Sequence, residues 1–455
     1  MDWMISVAQL LLSLSFLVAV HEFGHLIAAK YFGMRVEQFS IGFPPKIWSF
    51  KKGETEYALS AIPLGGYVKI SGMIDESLDT ETMKLPPQPW EFRSKPAWQR
   101  LVVMLGGIIV NLIVGIIIFI GIIFVFGDTY LLKDKINQMG GVDVGAVGQT
   151  IGMKTGDKII KINGQDFQYL EELIEPQTLL GNDLKITVDR NGEIHTLEVP
   201  GNFIENFNQR ENYGQFIAAR YPSTVGEVLK GSLAEDIGLK EGDVVLEVNN
   251  RPVKYADEVR DIVKSSPTDS VALTISRNGE VFRYKEIFKE VEDEEEKLVR
   301  LKQLGIITWK IPDDYFAEAE VTIKYGFIES IPLGFKKAFK TLKTQVTAFG
   351  QIISGRLSFK KSLSGPLGIA AAFGKTWDWE RFWTLTGVLS LVLAFMNLLP
   401  IPALDGGHVM FLSYEMISRR KPSDKFLETA QKIGMVFLLA LMVFIITNDI
   451  VKLID

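Results

Sequence analysis

The chain has 455 residues, 47% of them hydrophobic and 23% charged, with a formal net charge of −6. That length admits two to four domains, and the mildly acidic balance argues against a nucleic-acid partner. Cysteine is absent, which excludes a disulfide framework and any thiolate metal site, and a histidine-based site must draw on only His21, His25, His195 and His408.

Charge is unevenly spread. Residues 3–20, 101–126, 383–404 and 433–448 carry none, and the last run extends into 426–432. About 17–25 mostly apolar residues cross a bilayer as a helix, so four spans are expected. The first run lacks a basic start and a small-residue cleavage site, and reads as a retained span rather than a signal peptide.

The first run ends in His21-Glu22-Phe23-Gly24-His25, which fits H-E-x-x-H. Residues four apart on a helix share a face, so both imidazoles reach one ion and Glu22 reaches a water beside it. Ionisable groups at membrane depth are costly and mark function. Next, "TEYALSAIPLGGYVKISG" (residues 55–72) has two β-prone runs flanking Pro63-Leu64-Gly65-Gly66 and is expected to form a hairpin turning there.

After the second uncharged run the chain repeats itself. "GMKTGDKIIKINGQDF" from Gly152 aligns with "GLKEGDVVLEVNNRPV" from Gly238, and "DRNGE" from Asp189 with "SRNGE" from Ser276. A period of about 86 residues is long enough for each copy to be a domain. Asn-Gly between strands signals a hairpin. The pattern resembles PDZ domains in the circularly permuted form of bacterial proteases. Peptide binding by strand addition and a plain spacer or steric lid both fit. His195 lies in the first copy and reads as a surface strand residue.

The acidic run at 290–297 reads as a solvated turn. Beyond it Phe335, Phe339, Leu342, Val346, Phe349 and Ile353 recur at helical spacing with lysines between. This predicts an amphipathic helix on the membrane surface, or one packed on a domain. The third run ends in "NLLPIPALDGGH" (residues 397–408), where Pro400 and Pro402 break the helix. Catalytic zinc takes three protein ligands. Asp405 is the better third candidate and His408 the rival.

Four spans put the termini and the middle region on one side. The connections at 32–97 and 405–431, rich in Lys and Arg, lie on the other and read as cytoplasmic. Lys336, Lys337, Lys340, Lys343, Lys360 and Lys361 fall in the outer segment, but long translocated regions are largely exempt from the rule. Spans one and three then both end at the cytoplasmic side, which lets His21, His25 and Asp405 meet at one depth.

HEFGH in the first span, Asn397-x-x-Pro400-x-Pro402-x-Leu404-Asp405-Gly406 in the third and the tandem repeats between spans two and three resemble the site-2 protease family. Within it, the chain is most similar to the bacterial regulator of sigma-E protease branch. The resemblance covers essentially the whole chain and implies an intramembrane zinc metalloprotease. It implies His21, His25 and Asp405 as zinc ligands, Glu22 as the catalytic glutamate and Asn397 as a substrate-positioning residue. Pro400, Tyr67, Gly65, Gly66 and Asn111 follow as further substrate-binding positions. Gly107 to Asn111 match the family's G-x-x-x-N segment, but Gly106-Gly107-Ile108 stands where members often carry Ala-Gly-Pro, so the helix break seen there is not assured. Gly42-Phe43-Pro44 replaces a membrane-dipping Gly-Phe-Gly and leaves that loop's role open.

The expected architecture is a polytopic α-helical membrane protein with four transmembrane helices, a cytoplasmic-side β-hairpin and two inserted α+β PDZ domains. The divisions are 1–127 (spans one and two with the hairpin), 128–220 and 221–312 (PDZ domains), 313–381 (membrane-surface helical segment) and 382–455 (spans three and four). The expected location is the bacterial cytoplasmic membrane, with the PDZ pair outside and the active site near the cytoplasmic face. Expected partners are single-span substrates such as anti-sigma factors or remnant signal peptides, membrane lipid and peptide ligands of the PDZ domains. The PDZ pair is expected to limit access to substrates with a trimmed outer part. A metal-ion transporter and a non-catalytic PDZ scaffold with structural zinc are the rival readings.

Overall fold

The first apolar run folds as helix α1 (Asp2–Tyr31), which continues unbroken through HEFGH. The structure, a computed structural model, describes residues 2–73, 86–181, 183–207, 216–267, 270–287, 304–306, 308–312 and 314–454. The acidic run at 290–297 lies outside the described residues. The chain divides into two compact units, Met1–Asp128 with Ile323–Asp455, and Thr129–Thr322.

The first unit holds α1, strands β1 (Val36–Lys52) and β2 (Thr55–Ile70), and α2 (Ala97–Val125). It continues with α3 (Phe327–Ile353), α4 (Pro366–Phe373), α5 (Trp379–Leu398), α6 (Asp405–Ser418) and α7 (Asp424–Ile454). Among the described residues four stretches are long and apolar enough to cross a membrane: Trp3–Tyr31, Ala97–Val125, Trp379–Leu398 and Lys425–Val451. The third stops at Leu398, just ahead of the Pro400 and Pro402 expected to break it. Leu399 precedes Pro400 and is driven to extended geometry, with φ −62° and ψ 141°. Helix α2 shows no break at Gly106-Gly107-Ile108.

The chain does reverse between 59 and 66, where the hairpin was expected, but the two flanking runs do not pair with each other, because 36–41 lies between them. A further turn lies at Gly53, whose φ of 63° favours glycine. Both strands are long and fold back. Segment 36–41 pairs with 66–70 on one side (Gln38↔Lys69, Ile41↔Gly66) and with 56–59 on the other (Gln38↔Glu56, Ile41↔Leu59). Segment 46–52 covers the far side (Lys46↔Ser60, Lys52↔Thr55), which leaves 66–70 as an outer segment. Gly65 and Gly66, at the end of that reversal, also serve space. A Cβ on Gly66 would lie 2.7 Å from Ser40 O and 2.8 Å from Val18 Cγ1, so the glycine lets β2 lie against α1.

Helix α3 covers the stretch where an amphipathic helix was expected. It packs on α2 and α5 through small residues. A Cβ on Gly334 would meet the Ile120 backbone at 2.7 Å, and Ala338 is buried. Phe349 meets Phe395 edge-on, whereas Phe335, Phe339, Val346 and Ile353 face outward. The helix therefore presents its bulkiest apolar side chains away from the protein.

In the second unit the repeated sequence builds one sheet twice. The orders are Gln165–Asp166, Lys158–Ile162, Lys185–Arg190, Glu193–Glu198, and Arg251–Pro252, Val244–Val248, Ser270–Arg277, Glu280–Ile287. Both carry a register irregularity at the same place, between Ile159 and Lys161 and between Val245 and Glu247. The shared residues explain the likeness. Buried Asp157 and Asp243 accept from the backbone N–H of Lys154 (2.9 Å) and Lys240 (2.8 Å). Each also pairs with an arginine from the third strand, Arg190 at 2.7 Å and Arg277 at 2.6 Å. Each arginine donates in turn to the carbonyl of the glycine that opens the motif, Gly152 or Gly238. Asn163 and Asn249, at φ 52° and 50°, accept from the N–H of Lys185 and Ala272. His195 is half-buried in the fourth strand, 3.7 Å from Glu193.

The two copies are joined by ion pairs. Arg220 reaches Asp257 (2.6 Å) and Glu258 (2.9 Å) and lies 3.8 Å from the Tyr255 ring centroid, and Arg260 reaches Asp143 at 2.9 Å.

Asp243→Ala is expected to destabilise the second unit by about 3 kcal/mol, because it leaves Arg277 without its buried partner. Thermal unfolding of the full chain, followed by proteolysis within 129–322, checks this. Burial raises the Asp243 carboxyl, but Arg277 and the Lys240 N–H outweigh it and hold the group below its ordinary 3.8. The stabilisation is therefore complete above about pH 4 and lost as pH falls through the lowered value, and Asp243→Ala removes that acid limb.

Candidate active site

The site begins where two spans touch. A Cβ on Gly106 would lie 2.6 Å from the Gly24 carbonyl oxygen, so α1 and α2 meet backbone to backbone. In an apolar medium, small residues allow such close packing. One residue on, a Cβ on Gly107 would lie 2.5 Å from both His21 Cε1 and His25 Nε2. The two imidazoles fill the hollow that this glycine leaves. A side chain at 107 would also stand over the preceding helical turn. Its absence lets His25 Nδ1–H donate to the Val103 carbonyl at 2.8 Å.

Asp405 arrives from the broken end of the third span. After Leu398 the chain runs through Pro400 and Pro402 to Ala403, which is left-handed at φ 79°, and α6 then starts at Asp405. Gly407 lets α6 fold closely over this linker, since a Cβ there would lie 2.6 Å from Ile401 O. The carboxylate Oδ2 thereby reaches His21 Nε2 (3.1 Å) and His25 Nε2 (3.3 Å), and the two Nε2 atoms lie 3.3 Å apart.

These three atoms fit a zinc ion. Tetrahedral bonds of about 2.0–2.1 Å put neighbouring ligand atoms about 3.3 Å apart. Asp405 Oδ2 is buried without a hydrogen-bond partner, as expected of an anionic oxygen that faces a cation. Among the described residues no other group of three His, Cys, Asp or Glu side chains converges this way. His408 lines the same pocket but is outside the trio.

Two asparagines touch His21. Asn397 Nδ2 lies 3.4 Å from His21 Nε2, and Asn111 Nδ2 lies 3.2 Å from His21 Nδ1. Asn111 Oδ1 is buried and without a partner. Exchanging the amide's O and N, which is an assignment rather than an observation, resolves this. His21 Nδ1–H then donates to Asn111 Oδ1 and leaves Nε2 free as a metal donor. With His25 on the Val103 carbonyl, both rings gain the outer hydrogen bond usual for metal-binding histidines.

The pocket around this trio has a volume of about 660 Å³ and is walled by α1, α2, β2 and the 397–408 segment. Glu22, Asn111, Asn397, Gly65, Gly66 and Tyr67 all line it with the three donors. Pro400 does not; it is exposed on the linker. The loop whose role was open enters the wall through Phe43 and Pro44. The Phe43 ring occupies the space a Cβ on Gly65 would need. Sequence reasoning missed Gln38, Met73, Met104, Leu393 and Gln431, which also line it. None of them stands out in its local sequence.

This arrangement could hold a metal ion at the junction of apolar helices. Comparison with known proteins agrees. The pattern of Peptidase family M50 matches residues 9–441, and the chain belongs to that family. It is a zinc metalloprotease of the site-2 type. It is 28% identical over 459 residues to a Neisseria meningitidis protein with a zinc-metalloprotease name, covering 96% of this chain and 97% of that one. It is 29% identical over 469 residues to the regulator of sigma E protease of Haemophilus influenzae, covering 100% of both. It is 27% identical over 470 residues to the regulator of sigma-E protease RseP of Escherichia coli, covering 98% of each.

Gly107→Ala drives a methyl into both imidazoles while leaving α2 a good helix. Zinc affinity is expected to fall about tenfold or more, with unchanged helical content. Chelator competition and circular dichroism on the detergent-solubilised protein check this.

Proposed function

We propose that His21, His25 and Asp405 hold the zinc, that Glu22 is the general base and acid, and that the enzyme hydrolyses peptide bonds within transmembrane segments of single-span membrane proteins. One observation carries the reading. The donors converge in a pocket walled by two candidate membrane spans and the end of a third, where a membrane helix rather than a soluble loop is the natural substrate. Basic residues in the 32–97 and 405–431 connections support a cytoplasmic position for that end, in a bacterial inner membrane.

A helical substrate shields its peptide bonds, so it must unwind before attack. The outer segment 66–70 borders the pocket and offers a strand edge to an unwound segment. Asn397 and Tyr67 are placed to hold it. Zinc, when bound, supplies Lewis-acid polarisation of a carbonyl and acidification of water. Glu22 takes the proton from the attacking water at its carboxylate and returns it to the leaving amine nitrogen. Phe43 and Leu393 give the pocket an apolar wall that excludes bulk water.

The finer architecture belongs to the same reading. Residues 128–220 and 221–312 are two PDZ domains outside the membrane, inserted between the membrane parts 1–127 and 382–455. Residues 313–381 lie at the membrane surface, and the outward Phe335, Phe339 and Val346 of α3 contact lipid. The relatives named for sigma-E regulation point to membrane-bound anti-sigma factors as the substrate class, with remnant signal peptides as the second.

Glu22→Gln is expected to lower cleavage of a model single-span substrate in detergent by 10²-fold to about 10⁴-fold, with zinc retained. Equal cleavage by both proteins rules the mechanism out.

A further inference from the structure

Three buried polar atoms without a hydrogen-bond partner belong to residues lining the metal pocket: Asp405 Oδ2, Asn111 Oδ1 and Gln38 Nε2. The metal site accounts for the first two, as a ligand oxygen and as an acceptor for the His21 ring. It does not account for the third. Gln38 lies on β1, one segment in from the outer segment 66–70, opposite Lys69 and Glu56. The end of its amide assigned as nitrogen is shut off from solvent, yet nothing within the described residues pairs with it. A buried donor left unpaired is a standing penalty that folded proteins rarely keep. It is kept where another molecule brings the acceptor.

The chemistry of the substrate identifies that acceptor. A membrane-spanning segment has mostly apolar side chains, so the acceptors it carries into the pocket are its own backbone carbonyls, released when the helix unwinds. A neutral amide donor suits them, because it adds no charge to an apolar wall. We propose that Gln38 is a substrate-binding residue whose Nε2 donates to a backbone carbonyl oxygen of the extended substrate where it crosses the pocket. This rests on the proteolytic reading of the pocket. It adds a contact from the second strand segment that holds the unwound stretch near the zinc donors without touching them.

The test uses the full-length enzyme in detergent micelles and a fluorescent single-span polyleucine peptide with a central Asn-Pro pair. Gln38→Met keeps the length of the side chain and deletes the donor. Gln38→Glu replaces the donor with an acceptor that repels a carbonyl oxygen. Cleavage is followed for KM and kcat, and binding is measured by anisotropy in the Glu22→Gln background. Gln38→Met is expected to raise KM and the trapped-complex Kd about tenfold, roughly the worth of one hydrogen bond, with kcat nearly unchanged. Gln38→Glu is expected to be worse than Gln38→Met. Zinc content and melting temperature stay at the unsubstituted values. Unchanged KM and Kd overturn the inference, as does a loss that tracks lowered zinc content or melting temperature in both variants. Absence of zinc-dependent cleavage by the unsubstituted enzyme overturns the proteolytic reading itself, a separate outcome from failure at Gln38.

Discussion

Everything at the site depends on how closely α1 and α2 approach each other. Gly24 and Gly106 bring two helix backbones into contact, and Gly107 opens the hollow that both imidazoles occupy. In lipid no hydrophobic force drives helices together, so contact of this kind rests on shape and on the hydrogen bonds it permits. Here it permits one of consequence. His25 reaches the Val103 carbonyl only because position 107 has no side chain to cover the preceding turn. The ring is thus oriented by backbone, the least deformable partner available, and its Nε2 is left toward the ion.

Around that contact the pocket is assembled from broken or bent elements. The third span ends at Leu398, a left-handed Ala403 redirects the chain, and Asp405 enters as the first residue of a new helix. The β1–β2 pair folds back so that an outer segment borders the same pocket. Irregular backbone among apolar helices is tolerated where it is buried in protein or lines a cavity, and both irregular stretches here line one. The structure packs these elements around a pocket with both polar and apolar walls.

The second unit follows a different logic. Its recurring Gly, Asp, Asn and Arg residues look like a motif in the sequence, and each turns out to hold its own fold together. Asp157 and Asp243 tie a turn to the third strand through Arg190 and Arg277, and Asn163 and Asn249 brace the end of the next strand. Repetition here records stability. Helix α3 combines both kinds of surface, with small residues against α2 and aromatic side chains outward.

The sequence by itself determined whatever depends on neighbours along the chain. Four-residue spacing placed His21 and His25 on one helical face, run length marked the spans, and self-similarity marked the repeated sheets. It left Asp405 and His408 as rivals, because they lie three residues apart in one irregular segment. Only the tertiary structure put Asp405 within 3.3 Å of both imidazoles and left His408 on the wall. It also set the 36–41 segment between the two runs that flank 63–66, gave Gly65 and Gly66 a packing role, and showed Gln38 facing a pocket from a strand that reads as ordinary. The physical reason is the range of the forces involved. Periodicity and capping act within one element and leave a trace in its residue order. The meeting of residues 25, 103, 107 and 405 depends on which backbones can touch, and a glycine in a helix does not announce what it will touch.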